Sequence, residues 1–89
     1  MLTWDEANRE SNIAKHGLDF VGCDAVFDAP VLTWEDTRQT YGEQRISLLG
    51  WLHGQVVCMV YTDMDGDDGR VISLRKAEKH EARHYFQSI

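Results

Sequence analysis

The residues whose types and spacing could do chemistry lie mostly in the second half of the chain. Glu43 and Arg45 are two apart, so on a strand they would face the same way. Arg75 falls at the end of the last strand-like run. Lys76, Lys79 and Arg83 follow it at i, i+3 and i+7, a spacing that one helical face can carry. Lys15-His16-Gly17 closes an earlier helical run. A cation there meets the carbonyl end of the helix dipole, and a protonated imidazole would serve as a proton donor. Arginines beside a carboxylate and a histidine are what cleavage of an RNA backbone needs. A base takes the 2′-hydroxyl proton, cations hold the pentavalent phosphate, and an acid protonates the departing 5′ oxygen. No step in that scheme calls for a metal or an organic cofactor. By spacing alone, the same residues also read as an ordinary solvated face.

Other patterns are weaker. His80-Glu81-Ala82-Arg83-His84 satisfies HExxH, in which two histidines one turn apart hold zinc and the glutamate acts as base. No third ligand follows in the remaining five residues, and a chain this short has no room for a protease cleft, so a solvated basic helix is the favoured reading. Asp63, Asp65 and Asp67 alternate as in a calcium loop, but that loop needs glycine at its sixth position and a carboxylate at its twelfth. Asp68 and Leu74 stand there, so the stretch reads as an acidic hairpin turn using Gly66 and Gly69. Most of Trp4, Trp34, Trp51, Tyr41, Tyr61 and Tyr85 should be core or half-core, and Tyr85, beside the basic helix, is the best placed to stack a base.

The chain has 89 residues, 43% hydrophobic and 27% charged, which fits one domain over 1–89 with one modest core. No apolar run approaches a membrane span and no secretory leader is visible, so a cytoplasmic protein is expected. Cys23 and Cys58 form no CxxC and read as small core hydrophobes. The net charge is −6 but unevenly spread: residues 1–37 hold two basic and eight acidic side chains, residues 70–89 five basic and two acidic. A basic face on an acidic protein suggests two kinds of partner.

These residues must be positioned by a small α+β fold. Met1–Trp4 reads as a short strand, and Asp5 as the cap of a helix that Gly17 ends. Asp19 would cap a second helix with an apolar face of Phe20, Cys23, Ala25, Val26 and Phe27, stopped at Pro30. Val31–Glu35, Arg45–Leu52, Gln55–Thr62 and Arg70–Arg75 read as strands, with Asp36–Gly42 a loop and His53-Gly54 a tight turn. Ala77–Phe86 closes as a polar helix, giving the order β-α-α-β-β-β-β-α with helices packed on a mostly antiparallel sheet.

Taken together, these stretches resemble the BrnT family, toxin components of type II toxin–antitoxin modules. TWDEANRESNIAKHGLDF resembles the family's opening helix ending in KHG, and Val26-Phe27-Asp28-Ala29-Pro30 its Phe-Asp-x-Pro-like stop. GEQRISLLG is similar to its G-E-x-R strand, VVCMVYT to its apolar strand, and RVISLRKAEKHEARHYF to its last strand and closing helix. Where that helix commonly carries arginine, this chain has His80 and His84. The resemblance implies a RelE-like ribonuclease fold that cuts RNA without a metal and arrests growth. It implies a BrnA-type antitoxin as partner, two toxins joining two antitoxins, with DNA met only through the antitoxin as it represses the operon. Carried over, the motif residues are Lys15, His16, Glu43, Arg45 and Arg75. His16 or Glu43 would be the acid–base group and Arg45 and Arg75 would bind the phosphate. Lys15, Lys76, Lys79, Arg83 and Tyr85 would position RNA. An inactive antitoxin-binding module is the alternative, and a zinc-binding domain through His80 and His84 a more distant one. Duplex-DNA reading is disfavoured by the charge and by the lack of a helix-turn-helix pattern.

Overall fold

The computed structural model describes residues 2–35, 44–63 and 68–89. In chain order it has strand β1 (Leu2–Trp4), helix α1 (Glu6–His16), a 3-10 helix (Cys23–Asp28), strands β2 (Val31–Glu35), β3 (Arg45–Leu52), β4 (Gln55–Asp63) and β5 (Gly69–Lys76), and helix α2 (Lys79–Ser88). The strands form one sheet in the order β1-β5-β4-β3-β2, with β1 parallel to β5 and every other pair antiparallel.

Local chemistry accounts for most boundaries. Asp5 accepts hydrogen bonds from the Ala7 and Asn8 amides at 2.8 and 3.3 Å, capping α1. Gly17 ends it in the left-handed region at φ 72°, its amide bonded to the Ile13 carbonyl. His53 and Gly54, at φ 50° and 86°, make the two-residue turn that lets β3 and β4 pair to their tips.

The sheet has apolar side chains on both faces. One face packs Leu48, Leu52, Val57, Met59, Val71 and Leu74 against Phe20, Cys23 and Val26. The other packs Leu49, Val56 and Cys58 against Ala77 and Tyr85 at α2. Cys23 and Cys58 are both buried and neither is in a disulfide, as expected of core hydrophobes. Gly50 allows the first face to close, since a Cβ there would sit 2.4 Å from the Val26 methyl.

Three expectations are corrected. The second helix is a 3-10 helix over Cys23–Asp28: its buried residues Cys23 and Val26, with Phe20 in the turn before it, recur every three positions, the 3-10 period. Phe27 is left exposed. Asp19 caps a turn at the Val21 amide, and its carboxylate takes two hydrogen bonds from Arg9, at 2.7 and 2.9 Å. Lys76 ends β5 and so does not share the face of α2 with Lys79 and Arg83.

Helix α1 buries only Asn12, and this residue joins the helix to the sheet. β1 pairs with β5 only over Gly69–Val71, which leaves the rest of that edge open. The Asn12 amide fills the gap. Its oxygen accepts from the Leu74 amide at 3.0 Å, and its nitrogen donates to the Leu74 carbonyl at 2.8 Å and the Leu18 carbonyl at 2.9 Å. One side chain thereby satisfies both backbone groups of a strand residue.

Candidate functional site

Arg75 follows Leu74 on β5 and points to the α2 face. Its Nη1 and Nη2 donate to the two carboxylate oxygens of Glu81 at 2.7 and 3.0 Å, and Nη1 also reaches the Lys76 carbonyl at 3.3 Å. This is a fork-to-fork pairing, with two parallel N–H to carboxylate bonds. Glu81 also closes the N-terminus of α2, its Oε1 accepting from the Glu78 amide at 2.9 Å in a capping box. The hydrogen bonds from Arg75 hold the Glu81 carboxyl down at about 2, and the same bonds raise the guanidinium above its ordinary range.

A carboxyl whose pKa is lower in the folded state stabilises the fold above its unfolded value, here 4.5, and that stability is lost as pH falls toward 2. We expect acid scans to show melting temperature dropping between about pH 5 and pH 2, with part of that drop missing in Glu81→Gln. Asp19, held at about 2 by Arg9, titrates in the same window and keeps its share.

Strand register sorts the rest of this face into rows. Leu32, Leu49, Cys58 and Arg75 lie side by side across four strands, under and beside α2. The next row is Trp34, Ser47, Val60 and Ser73, and the third is Arg45, Thr62 and Arg70. Arg70 enters this row through a β-bulge. Val60 pairs with Ser73 but Tyr61 with Val71, so Ile72 is the extra residue on β5. Strict alternation from Arg75 would turn Val71 to this face and Arg70 away. The bulge reverses both, burying Val71 in the opposite core and bringing Arg70 beside Thr62, two strands from Arg45.

Arg45 and Arg75 therefore share a face, two rows apart. On ideal strand spacing their Cα atoms are roughly 16 Å apart, and those of Arg45 and Arg70 roughly 10 Å. Lys79 and Arg83 are exposed on α2. Lys15 and His16 are exposed at the end of α1, one turn beyond Asn12 and its bonds to Leu74, and make no hydrogen bond or ion pair among the described residues. Lys76 pairs with Val57, whose side chain is in the opposite core, so it points away from Arg75. Glu43 lies outside the described residues, as do Tyr41 and most of the acidic loop of Asp63–Asp68.

Tyr85 is not available for stacking, contrary to expectation. It is 1% exposed, packed in the α2 core, with its hydroxyl donating to the Pro30 carbonyl at 2.6 Å. That bond anchors the far end of α2 at the start of β2. In the HExxH stretch, His80 and His84 are exposed while Glu81 is committed to Arg75. No group of three His, Cys, Asp or Glu gathers as a metal site among the described residues. Sequence reasoning did not single out Asn12, grouped Trp34 with rings expected to be mostly core or half-core, weighed Glu81 only as the base of HExxH, and left Arg70 as one unit of basic charge. The Glu81 role had a signal, since Glu78-x-x-Glu81 has capping-box spacing.

No curated protein matches the chain. Among solved structures it is similar to the crystal structure of the ribonuclease toxin BrnT from Brucella abortus, at 30% identity and a TM-score of 0.64, covering 88% of this chain and 96% of that one. The α+β sheet with its flanking helices is the fold the two share. The family model of the BrnT ribonuclease toxin of type II toxin–antitoxin systems matches residues 4–81, from Trp4 through the Arg75–Glu81 pair. With that match spanning most of its length, the chain belongs to the BrnT family of ribonuclease toxins of type II toxin–antitoxin systems.

Proposed function

We propose that this chain is a metal-independent endoribonuclease whose site is the sheet face beside α2, with His16 at its margin. The observation that carries the reading is the gathering of Arg45, Arg70 and Arg75 on one face of a protein with net charge −6. His16 or Glu43 takes the proton from a 2′-hydroxyl. The oxygen attacks the adjacent phosphorus, and Arg45 and Arg75 neutralise charge on the pentavalent phosphate. The 5′ oxygen leaves with a proton from the other acid–base group, giving a 2′,3′-cyclic phosphate and a 5′-hydroxyl. Lys15, Lys79 and Arg83 hold flanking phosphates.

The toxin works as a single domain in the cytosol, and no helix among the described residues is long and apolar enough to cross a membrane. Its partner is a BrnA-type antitoxin, two of each chain in the complex, that represses its own operon through the antitoxin's DNA contacts. An acidic segment of the antitoxin covers Arg45 and Arg75; a complex that left both open to solvent would defeat this. A second reading, an inactive antitoxin-binding module, draws on the fact that Arg75 is already engaged by Glu81.

Inducing the wild type and a His16→Ala, Arg75→Ala double mutant in bacteria separates the two. Growth arrest with loss of bulk RNA for the wild type alone is the expected result, and cleavage by the purified protein should survive a chelator. Arrest by neither protein would favour the binding module. Arrest by both would keep toxicity but place its residues elsewhere.

A further inference from the structure

Three tryptophans stand in the chain, and the structure treats them differently. Trp4 packs edge-on against Phe20, with ring centroids 6.2 Å apart, and Trp51 lies against Phe86 at 6.1 Å. Trp34 makes no ring contact or hydrogen bond among the described residues and is 45% exposed. It sits on β2, the edge strand, on the face that carries the arginines. Trp34 pairs with Ser47, and Arg45 is two residues before Ser47 on β3. Trp34 and Arg45 are thus diagonal cross-strand neighbours, at roughly 7–8 Å, close enough for long side chains to serve one ligand. The residues that continue the Trp34 row, Ser47, Val60 and Ser73, are small and put no bulky side chain between the ring and the arginines.

We infer that Trp34 is a base-stacking residue: a nucleotide base of single-stranded RNA lies on the indole while Arg45 holds that nucleotide's phosphate, with Arg70 next along the strand. The inference rests on the ribonuclease reading above. An exposed aromatic ring next to guanidinium groups fits a base and its phosphate together, since the ring supplies the stacking surface and the arginines the charge. Stacking of this kind accepts any base, so Trp34 sets affinity and position more than sequence. It touches substrate but moves no proton, so its loss should appear in KM.

The test uses the purified chain with a short single-stranded RNA and with the same RNA carrying an abasic nucleotide at each position in turn. Trp34→Ala should weaken RNA binding and raise KM about tenfold with kcat nearly unchanged, whereas Trp34→Phe should stay within about threefold of wild type. Trp51→Ala, on the far side of α2, should bind as wild type does. One abasic position should weaken the wild type by about the factor that Trp34→Ala costs, and should not weaken Trp34→Ala further. If the wild type binds and cleaves RNA and Trp34→Ala does so equally well, the inference fails and the ribonuclease reading stands. If the wild type neither binds nor cleaves RNA, both fail. Loss of antitoxin binding by Trp34→Ala with RNA handling intact would also overturn it, making this surface a protein-docking site. Matching melting curves for Ala and Phe variants exclude misfolding as the cause.

Discussion

Arg75→Ala is expected to lower RNA cleavage by about 100-fold or more, the usual cost of removing a fixed donor to charge that develops in the transition state. The effect on folding should be small. The Arg75 side chain is 36% exposed, and a pair so open to water contributes about 1 kcal/mol or less. Activity and stability therefore separate. Arg75→Lys keeps the charge but loses the planar fork, and should recover only part of the rate. Glu81→Gln breaks the same ion pair while leaving the guanidinium, so it should keep most of the activity. If Arg75 served only to tie α2 to β5, the two variants would lose activity alike. Initial rates on a defined RNA, with melting curves in parallel, decide between these outcomes. Wild-type rates in Arg75→Ala would remove this residue from the chemistry.

The largest effect on stability is expected at Asn12. Replacing it with alanine strips partners from the Leu74 amide, the Leu74 carbonyl and the Leu18 carbonyl together. A buried polar group left unpaired costs about 1–3 kcal/mol, and partial access of water to the vacated edge sets the total at about 3 kcal/mol. In a chain of this size that is a fall of roughly 15 °C in melting temperature. Asn12→Asp is the sharper variant. It keeps an acceptor for the Leu74 amide but sets a carboxylate against two carbonyl oxygens. Its pKa in the folded state is raised, so the variant should be more stable at pH 4 than at pH 7. Denaturant melts at both pH values check this, and an alanine variant within 1 kcal/mol of wild type would show that water replaces the amide. Because Asn12 links the helix ending in Lys15-His16-Gly17 to the residue before Arg75, this variant should lose activity before it melts.

Much of the frame was legible in the residues because it depends on short-range chemistry. The Asp5 cap, the Gly17 stop, the His53-Gly54 turn and the five strands each follow from a few neighbouring side chains and their backbone preferences. The family resemblance was legible for a related reason, since its motifs are contiguous stretches. The segment after Asp19 was misread because its apolar set of Phe20, Cys23, Ala25, Val26 and Phe27 fits an α-helix and a 3-10 helix about equally. Only the burial of Phe20, Cys23 and Val26 at intervals of three tells them apart.

The site divides along the same line. Residue types raised RNA chemistry as one reading, and the family resemblance singled out Arg45 and Arg75 for the phosphate, a role that suits guanidinium groups wherever the fold places them. Which side chains meet depended on contacts between elements far apart in sequence. Tyr85 looked like a surface ring until α2 packed across the sheet and gave its hydroxyl the Pro30 carbonyl, 55 residues away. Trp34 acquired its place near Arg45 from the register of β2 against β3. Arg70 stands on the arginine face because one extra residue in β5 reverses the alternation. A period-two reading of that strand cannot show the reversal, since a bulge is set by how two strands pair and not by either strand alone.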